Sequence, residues 1–176
     1  CHEMSTCFAD LLSDRQVTFI PGDAEQLSFP SGQDLIVSCS ALQWFVSPEQ
    51  FFKRCYALLS GHGYFAFSTF GKENLKEIAA VTGSGLHYYS LEELKKSLSM
   101  HYNIVTAGEE RIRLTFATPL DVLYHLKHTG VTAVCRQAWT KGDLQEFCDK
   151  YAKLFSCGNA VTLTYHPLYI IARKKP

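Results

Sequence analysis

The sequence predicts an α/β domain built on a doubly wound, mainly parallel sheet. Short, continuous apolar runs alternate with helical segments, and the connections between them are brief. The chain has 176 residues, 47% of them hydrophobic, with 17 basic and 17 acidic side chains, which suits one folded domain. The zero net charge argues against a nucleic-acid partner, and no apolar run reaches the roughly 20 residues of a membrane span.

The first half of the chain gives the strand signals. Apolar side chains at helical spacing predict a helix over residues 4–13, and the β-branched and aromatic residues 17–20 predict a strand after it. Residues 34–39 form a continuous apolar run, which predicts a second strand covered on both faces. Residues 64–69 predict a third buried strand. Ligands in such sheets bind beyond the carboxyl ends of the strands, so the polar residues found there are the first candidates for a site.

A helix between the second and third strands has a start and a stop signal. Ser47 is a suitable N-cap, Pro48 suits the first helical position, and Gln50 completes a capping box. We expect Gly61 and Gly63 to end this helix in left-handed conformations.

The second half contains three more capped helices, which begin after Ser90, Thr118 and Thr140. The last of them carries one apolar face, formed by Leu144, Phe147, Cys148, Tyr151, Leu154 and Phe155. Extended segments are predicted at residues 103–107, 111–116 and 161–173. We therefore expect a single domain with a core α/β portion over residues 1–116, a helical lid insertion over 117–160, and a final strand over 161–176.

The seven cysteines show no CxxC pair and no zinc-ligand spacing. Most lie among apolar neighbours, and their number is odd. Reduced thiols that pack as small hydrophobic side chains are therefore favoured over disulfides, and this predicts a cytoplasmic protein. No metal is expected, since His125 and His128 are three residues apart but lack further ligands at a suitable spacing.

Three segments resemble the Rossmann-like S-adenosylmethionine-dependent methyltransferases: residues 21–29 (PGDAEQLSF), residues 34–38 (DLIVS) and the pair Gln43 and Trp44. A narrower resemblance comes from residues 42–44, 127–131 and 163–169. These are similar to the malonyl-acyl-carrier-protein O-methyltransferase family of biotin synthesis.

The resemblance implies a class I methyltransferase sheet with a helical lid inserted before the last strand. It also implies that the first strands of that sheet are missing. The glycine-rich loop that cradles the methionine part of S-adenosylmethionine does not occur in this sequence, and neither does the acidic residue that holds the ribose. We expect the chain to be the C-terminal part of such an enzyme, with weak cofactor binding and little activity by itself.

The resemblance also implies the cofactor contacts. Asp23 would accept a hydrogen bond from the adenine amine, the Ala24 amide would meet the adenine ring, and Ser38 would approach the methionine part. Trp44 would wall the substrate site. The structural alternatives are an ordinary turn aspartate at Asp23 and simple packing of Trp44.

The implied reaction methylates the free carboxylate of a malonyl thioester on acyl carrier protein, an early step toward the pimelate part of biotin. A carboxylate is already ionised at neutral pH, so no catalytic base is expected. Arginine suits the grip on a carboxylate, and Arg111, Arg113 and Arg136 are candidates. Tyr165 and His166 are further candidates for orienting the substrate, although both residue types also serve as packed side chains.

Acyl carrier proteins are acidic, so a basic docking surface is expected. Positive residues gather in the lid, and Lys127, Arg136 and Lys141 are the docking candidates; His128, Lys150 and Lys153 lie in the same region. Scattered solubilising lysines are the alternative. Two other functions stay open: another small-molecule carboxyl methyltransferase of the same fold, and a non-catalytic docking fragment.

Overall fold

The computed structural model of the chain describes residues 14, 16–131 and 139–176. The helix predicted over residues 4–13 and the candidate Arg136 lie outside the described residues. The elements, in chain order, are β1 (Gln33–Cys39), a 3-10 turn (Leu42–Trp44), α1 (Pro48–Leu58), β2 (Leu59–Phe70), α2 (Lys76–Thr82), α3 (Leu91–Leu98), β3 (Tyr102–Glu109), β4 (Ile112–Phe116), α4 (Pro119–His128), α5 (Lys141–Phe155), β5 (Ser156–Cys157), β6 (Ala160–Tyr165) and β7 (Pro167–Lys174).

The first layer is a four-stranded sheet in the order β1, β2, β7, β3. β1 and β2 run parallel, and β7 is antiparallel to both of its neighbours. Helix α1 connects the parallel pair, which is the strand, helix, strand unit that the sequence predicts. The predicted α/β class is confirmed.

The core of this layer lies on one face of the sheet. Helices α1 and α3 supply Phe52 and Leu98, which pack against Phe65 on β2 and Ile170 on β7. The prediction that β1 is covered on both faces is wrong, because the described helices that pack on this sheet both lie on that one face. The exposed fractions of Leu35 and Val37 on the opposite side of β1 are 56% and 58%.

The strand predicted at residues 17–20 is also wrong, since these residues form no regular element. A β-strand needs a neighbour to satisfy its backbone hydrogen bonds. In the described part of the chain β1 is hydrogen-bonded to β2 alone, and no strand is paired with its outer edge. Apolar, β-branched composition alone therefore does not make residues 17–20 a strand.

The predicted start of α1 is correct in position but not in mechanism. Pro48 is the first helical residue and Ser47 is the N-cap, yet the Ser47 side chain makes no capping hydrogen bond. The carboxylate of Glu25 instead accepts the backbone N–H groups of Val46 and Ser47, at 2.9 and 2.8 Å. A carboxylate at a helix N-terminus is stabilised by the helix dipole, so Glu25 replaces the predicted capping box with Gln50.

The predicted glycine stop of α1 is wrong. The helix ends at Leu58 and the chain continues directly into β2, which contains both Gly61 and Gly63. Neither glycine is left-handed. A Cβ atom on Gly63 would lie 2.8 Å from the carbonyl oxygen of Gln33 on β1, so this glycine permits the close approach of two strands.

The other three helices begin as predicted. Each N-cap hydroxyl accepts a hydrogen bond from the N–H three residues later, and the carboxylate at that position accepts the N–H of the cap. The pairs are Ser90 with Glu93, Thr118 with Asp121, and Thr140 with Asp143. The apolar face of α5 is narrower than predicted, because Leu154 is 53% exposed.

The second layer is an antiparallel sheet in the order β4, β6, β5. Its core is formed with α2, α4 and α5, and Ile78, Val122, Tyr151 and Leu163 are buried there. Strands β4 and β6 therefore lie together with the lid helices, and the chain crosses from this sheet into the first one at His166. The boundaries set for core, lid and final strand stay a prediction. In the described ranges no helix is long and apolar enough to cross a membrane.

Candidate methyl-transfer site

The carboxyl ends of β1 and β2 form the sheet edge at which the sequence predicts cofactor binding. Ser38 is half-buried near the carboxyl end of β1. The chain leaves the strand at Ser40, whose φ of 49° is left-handed. The Ser40 N–H donates to the carbonyl of Ser68 on β2 at 3.0 Å. A non-glycine residue held in this conformation marks a sharp, fixed turn, and such turns are common where a ligand meets the backbone.

The side-chain amide of Gln43 fixes this edge. Its Nε2 donates to the carbonyl of Ser40 at 2.5 Å, and its Oε1 accepts from the hydroxyl of Thr69 at 3.3 Å. One side chain thus connects the ends of the two parallel strands. The sequence motif that contains Gln43 is part of the resemblance, but this positioning contact needs the geometry of both strands to be recognised.

Asp23 lies in a tight, exposed turn before β1. One carboxylate oxygen accepts the N–H of Glu25 at 2.9 Å, and the other accepts the side-chain amide of Gln26 at 2.9 Å. Each oxygen has two lone pairs, so the carboxylate can accept further hydrogen bonds. The following residue, Ala24, packs against the core of the first layer.

Helix α1 holds the Asp23 turn in place. The guanidinium of Arg54 donates to the backbone carbonyls of Glu25 and Leu27, while the carboxylate of Glu25 holds the residues just before α1. The segment after Trp44 and the Asp23 turn are therefore tied to each other. Glu25 is one of the polar residues after the first predicted strand, where sequence analysis expects the site, but these contacts of Glu25 and Arg54 could not be foreseen, because their partners are more than 20 residues away.

A large cleft lies between α2, the loop after it, and α5. Its volume is about 1210 Å³. Trp44, Lys72, Asn74 and Tyr88 line it near the carboxyl end of β2, and the side chain of Asn74 donates to the Tyr88 hydroxyl at 3.1 Å. The apolar lining includes Leu75, Ile78, Ala79, Val81, Leu86 and Phe147.

Of the predicted substrate residues that the structure describes, one lines this cleft. Trp44 is 49% exposed and lines it. Arg111 lies elsewhere and its guanidinium is bound to the carboxylates of Glu73 and Glu109. Arg113 is exposed on β4 and is not among the lining residues. The basic side chains that do line the cleft are lysines, and one of them, Lys72, follows the third predicted strand, where sequence analysis expects site residues.

His166 is 3% exposed and both of its ring nitrogens have partners. The N–H of Glu73 donates to Nδ1 at 3.1 Å, so Nδ1 is the unprotonated nitrogen, and Nε2 is 3.1 Å from the Glu109 carboxylate. This hydrogen bond from His166 is the largest of the causes that hold the pKa of Glu109 below its usual value. The His166 N–H donates to the side chain of Asn74 at 3.2 Å, so this histidine orders the loop that carries a cleft residue.

Tyr165 precedes this histidine at the end of β6. Its hydroxyl is 3.0 Å from Nε2 of His125, and burial raises its pKa above the usual value. The neighbouring His128 contacts the carbonyl of Tyr124. The described residues contain no group of three or more potential metal ligands. The predicted docking residues Lys127 and Lys141 are exposed, on α4 and at the start of α5.

Comparisons with known proteins agree with this geometry. Residues 1–67 match the family model described as a methyltransferase domain. The chain is 55% identical to the malonyl-[acyl-carrier protein] O-methyltransferase of Bacteroides thetaiotaomicron, over 99% of the chain and 71% of that protein. It is 56% identical to the protein of the same name from Bacteroides fragilis, of which it covers 36%, and 50% identical to that of Bacteroides helcogenes, of which it covers 69%.

Solved structures share the fold at low sequence identity. The YcgJ protein of Bacillus subtilis superposes with a TM-score of 0.64 at 17% identity, covering 99% of this chain and 78% of that one. The N-methyltransferase NodS of Bradyrhizobium japonicum, solved with S-adenosyl-L-homocysteine, gives a TM-score of 0.51 at 12% identity, covering 98% and 62%.

The sheet order and these structural likenesses define the fold of the class I methyltransferases, and the matching family model is a methyltransferase domain. Within that class, the chain belongs to the malonyl-[acyl-carrier protein] O-methyltransferase family, as its identity to the relatives from Bacteroides shows.

Proposed function

We propose that the protein methylates the free carboxylate of a malonyl group carried as a thioester on acyl carrier protein, as an early step of biotin synthesis. One observation carries this proposal. In a chain of this family, a cleft of about 1210 Å³ meets the carboxyl edge of the parallel strands, where Trp44 and Asn74 line it. That arrangement places an acceptor group beside the edge at which class I sheets bind their ligands.

Asp23, Ala24 and Ser38 are the residues that we propose for cofactor binding. Their surroundings fit S-adenosylmethionine, because the Asp23 carboxylate has spare acceptor capacity in a turn that α1 holds fixed. The half-buried Ser38 stands at a strand end whose backbone is pinned by Gln43. S-adenosylmethionine, when bound, supplies an electrophilic methyl group.

The residues of this chain bind, orient and shield the reactants. A malonyl carboxylate is ionised at neutral pH, so the chain needs no group to remove a proton. Trp44 and the apolar wall of the cleft give the acceptor an apolar surface on which to lie. Asn74 and Tyr88 offer fixed hydrogen-bond donors to the acceptor, and His166 positions Asn74. The sequence suggests four further substrate contacts, at Arg111, Arg113, Tyr165 and His166. None of these four side chains lines the cleft, which favours structural roles for them.

Asp23→Asn tests the cofactor contact in the complete natural protein. The asparagine keeps an oxygen for the Glu25 N–H, so the turn is retained, but it replaces the second acceptor oxygen with a donor. We expect roughly tenfold weaker S-adenosylmethionine binding by calorimetry, about the value of one hydrogen bond. Asp14→Asn is the matched control, since Asp14 caps the same kind of turn through the Gln16 N–H at 2.9 Å. Equal binding by wild type and Asp23→Asn would remove Asp23 from the site.

Lys127 and Lys141 are proposed to meet the acidic carrier protein. Charge reversal of both, Lys127→Glu with Lys141→Glu, is expected to weaken carrier-protein binding much more than cofactor binding. The control reverses two exposed lysines on the first layer, Lys53 and Lys96, on α1 and α3. Loss of both binding activities, or of neither, would contradict the docking surface.

We propose a cytoplasmic location, which agrees with the free state of the described cysteines Cys39, Cys55, Cys148 and Cys157.

Methyl transfer to a set of acceptors tests the function itself. The complete natural protein is assayed with malonyl-carrier protein, malonyl-coenzyme A and free malonate. The proposal predicts the highest kcat/KM for malonyl-carrier protein. Turnover of unrelated small carboxylates alone would favour another carboxyl methyltransferase, and failure with every acceptor would favour a non-catalytic docking fragment.

A further inference from the structure

The β2–α2 loop, residues 71–75, carries Asn74 into the cleft and is bound to the segment where the chain crosses between the two sheets. The first N–H of the loop donates to the carbonyl of His166 at 2.7 Å, and its last, on Leu75, donates to the carbonyl of Thr164 at 2.8 Å. Leu75 has a left-handed φ of 53°, which a leucine keeps only where its surroundings impose it. The position of Asn74 therefore depends on this crossing segment.

The ring of His166 fills the space beside the β2–α2 loop. The residue is 3% exposed, and a Cβ atom added to Gly71 would lie 2.6 Å from the ring. Nδ1 accepts the N–H of Glu73 at 3.1 Å, while the backbone N–H of His166 donates to the side chain of Asn74 at 3.2 Å. The ring thus supplies the hydrogen-bond acceptor that fixes the middle of the loop.

One tautomer of His166 fits these partners. Because Nδ1 accepts a hydrogen bond, the proton of the neutral imidazole is on Nε2, which lies 3.1 Å from the carboxylate of Glu109. In the other tautomer, the proton on Nδ1 would face the Glu73 N–H, and the lone pair of Nε2 would face a carboxylate. Glu109 therefore favours the tautomer that can accept from the loop.

The side chain of Arg111 holds the Glu109 carboxylate in place. Its guanidinium donates to Glu109 at 3.1 Å and also to the carboxylate of Glu73. Arg111 is thereby connected to the β2–α2 loop directly, through the Glu73 side chain, and indirectly, through Glu109 and His166. None of Glu109, Arg111 and His166 lines the cleft, so their influence on an acceptor passes through the loop.

We propose that Glu109 and Arg111 are positioning residues for the methyl acceptor. They fix the tautomer of His166, and this histidine fixes Asn74 in the cleft. The inference rests on the proposed function, because it takes Asn74 as a hydrogen-bond donor to the acceptor. The proposed cofactor residues lie on other segments and are held by other side chains. Loss of this network is therefore expected to raise the KM for the acceptor and to leave cofactor binding unchanged.

Two substitutions of His166 separate the two sides of its ring. In His166→Asn the amide oxygen can take the place of Nδ1 and accept the Glu73 N–H, whereas in His166→Gln the amide reaches the place of Nε2, beside Glu109. In the complete natural protein, we expect His166→Gln to raise the KM for malonyl-carrier protein at least roughly tenfold, with kcat within about threefold, and His166→Asn to raise it no more than about threefold. Both variants should bind S-adenosylmethionine as tightly as the wild type in calorimetry. Equal KM values for the two variants, the reverse order, or an equal loss of cofactor binding would overturn the proposal.

Glu109→Ala tests the outer part of the network, and Glu110→Ala is the matched control. Glu110 is the next residue, and its exposed side chain makes no hydrogen bond or ion pair with the described part of the chain. We expect Glu109→Ala to raise the KM for the acceptor severalfold and to speed hydrogen exchange at the Glu73 amide, because the ring loses the partner that fixes its tautomer. Glu110→Ala should change neither quantity. Equal effects of the two variants would contradict the role of Glu109.

The tautomer itself is read from the ring nitrogens by NMR of the wild type with labelled histidines, at mildly alkaline pH. The signals of His166 are those that are missing in His166→Asn. We expect a proton on Nε2 and none on Nδ1, and a proton on Nδ1 would overturn the proposal.

These results are separate from the test of the proposed function. If the malonyl group is not methylated but the Glu73 amide exchanges faster in Glu109→Ala than in Glu110→Ala, the network positions the loop and the proposed reaction fails. If methylation proceeds with the wild-type KM in Glu109→Ala, the reaction stands and the positioning role fails.

Discussion

The buried carboxylate of Glu77 connects α2 to the second sheet, and its removal gives the sharpest stability test. Glu77 is 2% exposed, and its two oxygens accept from the N–H and the hydroxyl of Thr164 at 2.9 and 2.6 Å. Glu77→Ala leaves both buried donors without a partner, which costs about 1–3 kcal/mol each, or about 2–6 kcal/mol together. Glu77→Gln keeps an acceptor oxygen for the N–H and can donate to the hydroxyl, so we expect a loss of about 1 kcal/mol or less.

Urea unfolding followed by circular dichroism measures these free energies, and Glu92→Ala is the control. Glu92 has a side chain that is 79% exposed and pairs only with Lys95 among the described residues, so we expect a change within about 0.5 kcal/mol. The expected order of destabilisation is Glu77→Ala, then Glu77→Gln, then Glu92→Ala. A Glu77→Ala variant as stable as Glu92→Ala would refute the argument that this carboxylate satisfies buried donors.

Three other predictions follow from particular contacts. Gly71→Ala is expected to lower the Tm much more than Gly108→Ala. The Cβ atom at position 71 would lie 2.6 Å from the buried His166 ring, whereas the Cβ atom at position 108 would meet the hydroxyl end of the half-exposed Tyr169, which can move. Equal losses of Tm would contradict this. Hydrogen bonds from Arg111 and then Lys76 lower the pKa of Glu73 from 4.5 to about 2. The stabilisation from this ion pair is therefore complete above about pH 4.5 and is lost as the pH falls toward 2. Glu73→Gln should make the Tm depend less on pH below pH 4.5. An unchanged slope of Tm against pH would contradict the pairing. Burial raises the pKa of Cys55 to about 12. At pH 8, iodoacetamide should therefore label the exposed Cys39 and Cys157 in the folded protein and Cys55 only after unfolding, as peptide mass spectrometry would show. Labelling of Cys55 in the folded protein would contradict its burial.

The features that sequence analysis predicted correctly are local ones. The three capping boxes depend on residues three positions apart, such as Ser90 and Glu93, so the sequence contains the whole interaction. The apolar runs of β1 and β2 and the helix between them were likewise recognisable, because each is one continuous segment. The family resemblance rested on short motifs of the same kind, and the relatives from Bacteroides confirm it.

The features that it missed depend on distant partners. The segment at residues 17–20 has strand composition but belongs to neither of the sheets that the described residues form. Gly63 is required by the carbonyl of Gln33, 30 positions away. Likewise, Glu25 supports the start of α1 from 21 and 22 positions away. The arginine grip proposed for Arg111 could not be judged without seeing Glu73 and Glu109 beside it.

The candidate site was predictable in part for the same reason. Trp44 follows a strand end, so its place near the sheet edge follows from the fold class. The cleft could not be foreseen, because it lies between α2 and α5, which are separated by more than 50 residues of chain. Its lysines belong to three different segments, and their pairing determines which of them is available to a ligand.

The most direct test of the central claim is the intact mass of the carrier protein after reaction. The complete natural protein is incubated with S-adenosylmethionine and carrier protein loaded with either a malonyl or an acetyl group, the acetyl form lacking the free carboxylate. The account predicts one added methyl group on the malonyl form, removed again by mild alkaline hydrolysis of the ester, and none on the acetyl form. Methylation of both forms, or of neither, would contradict it.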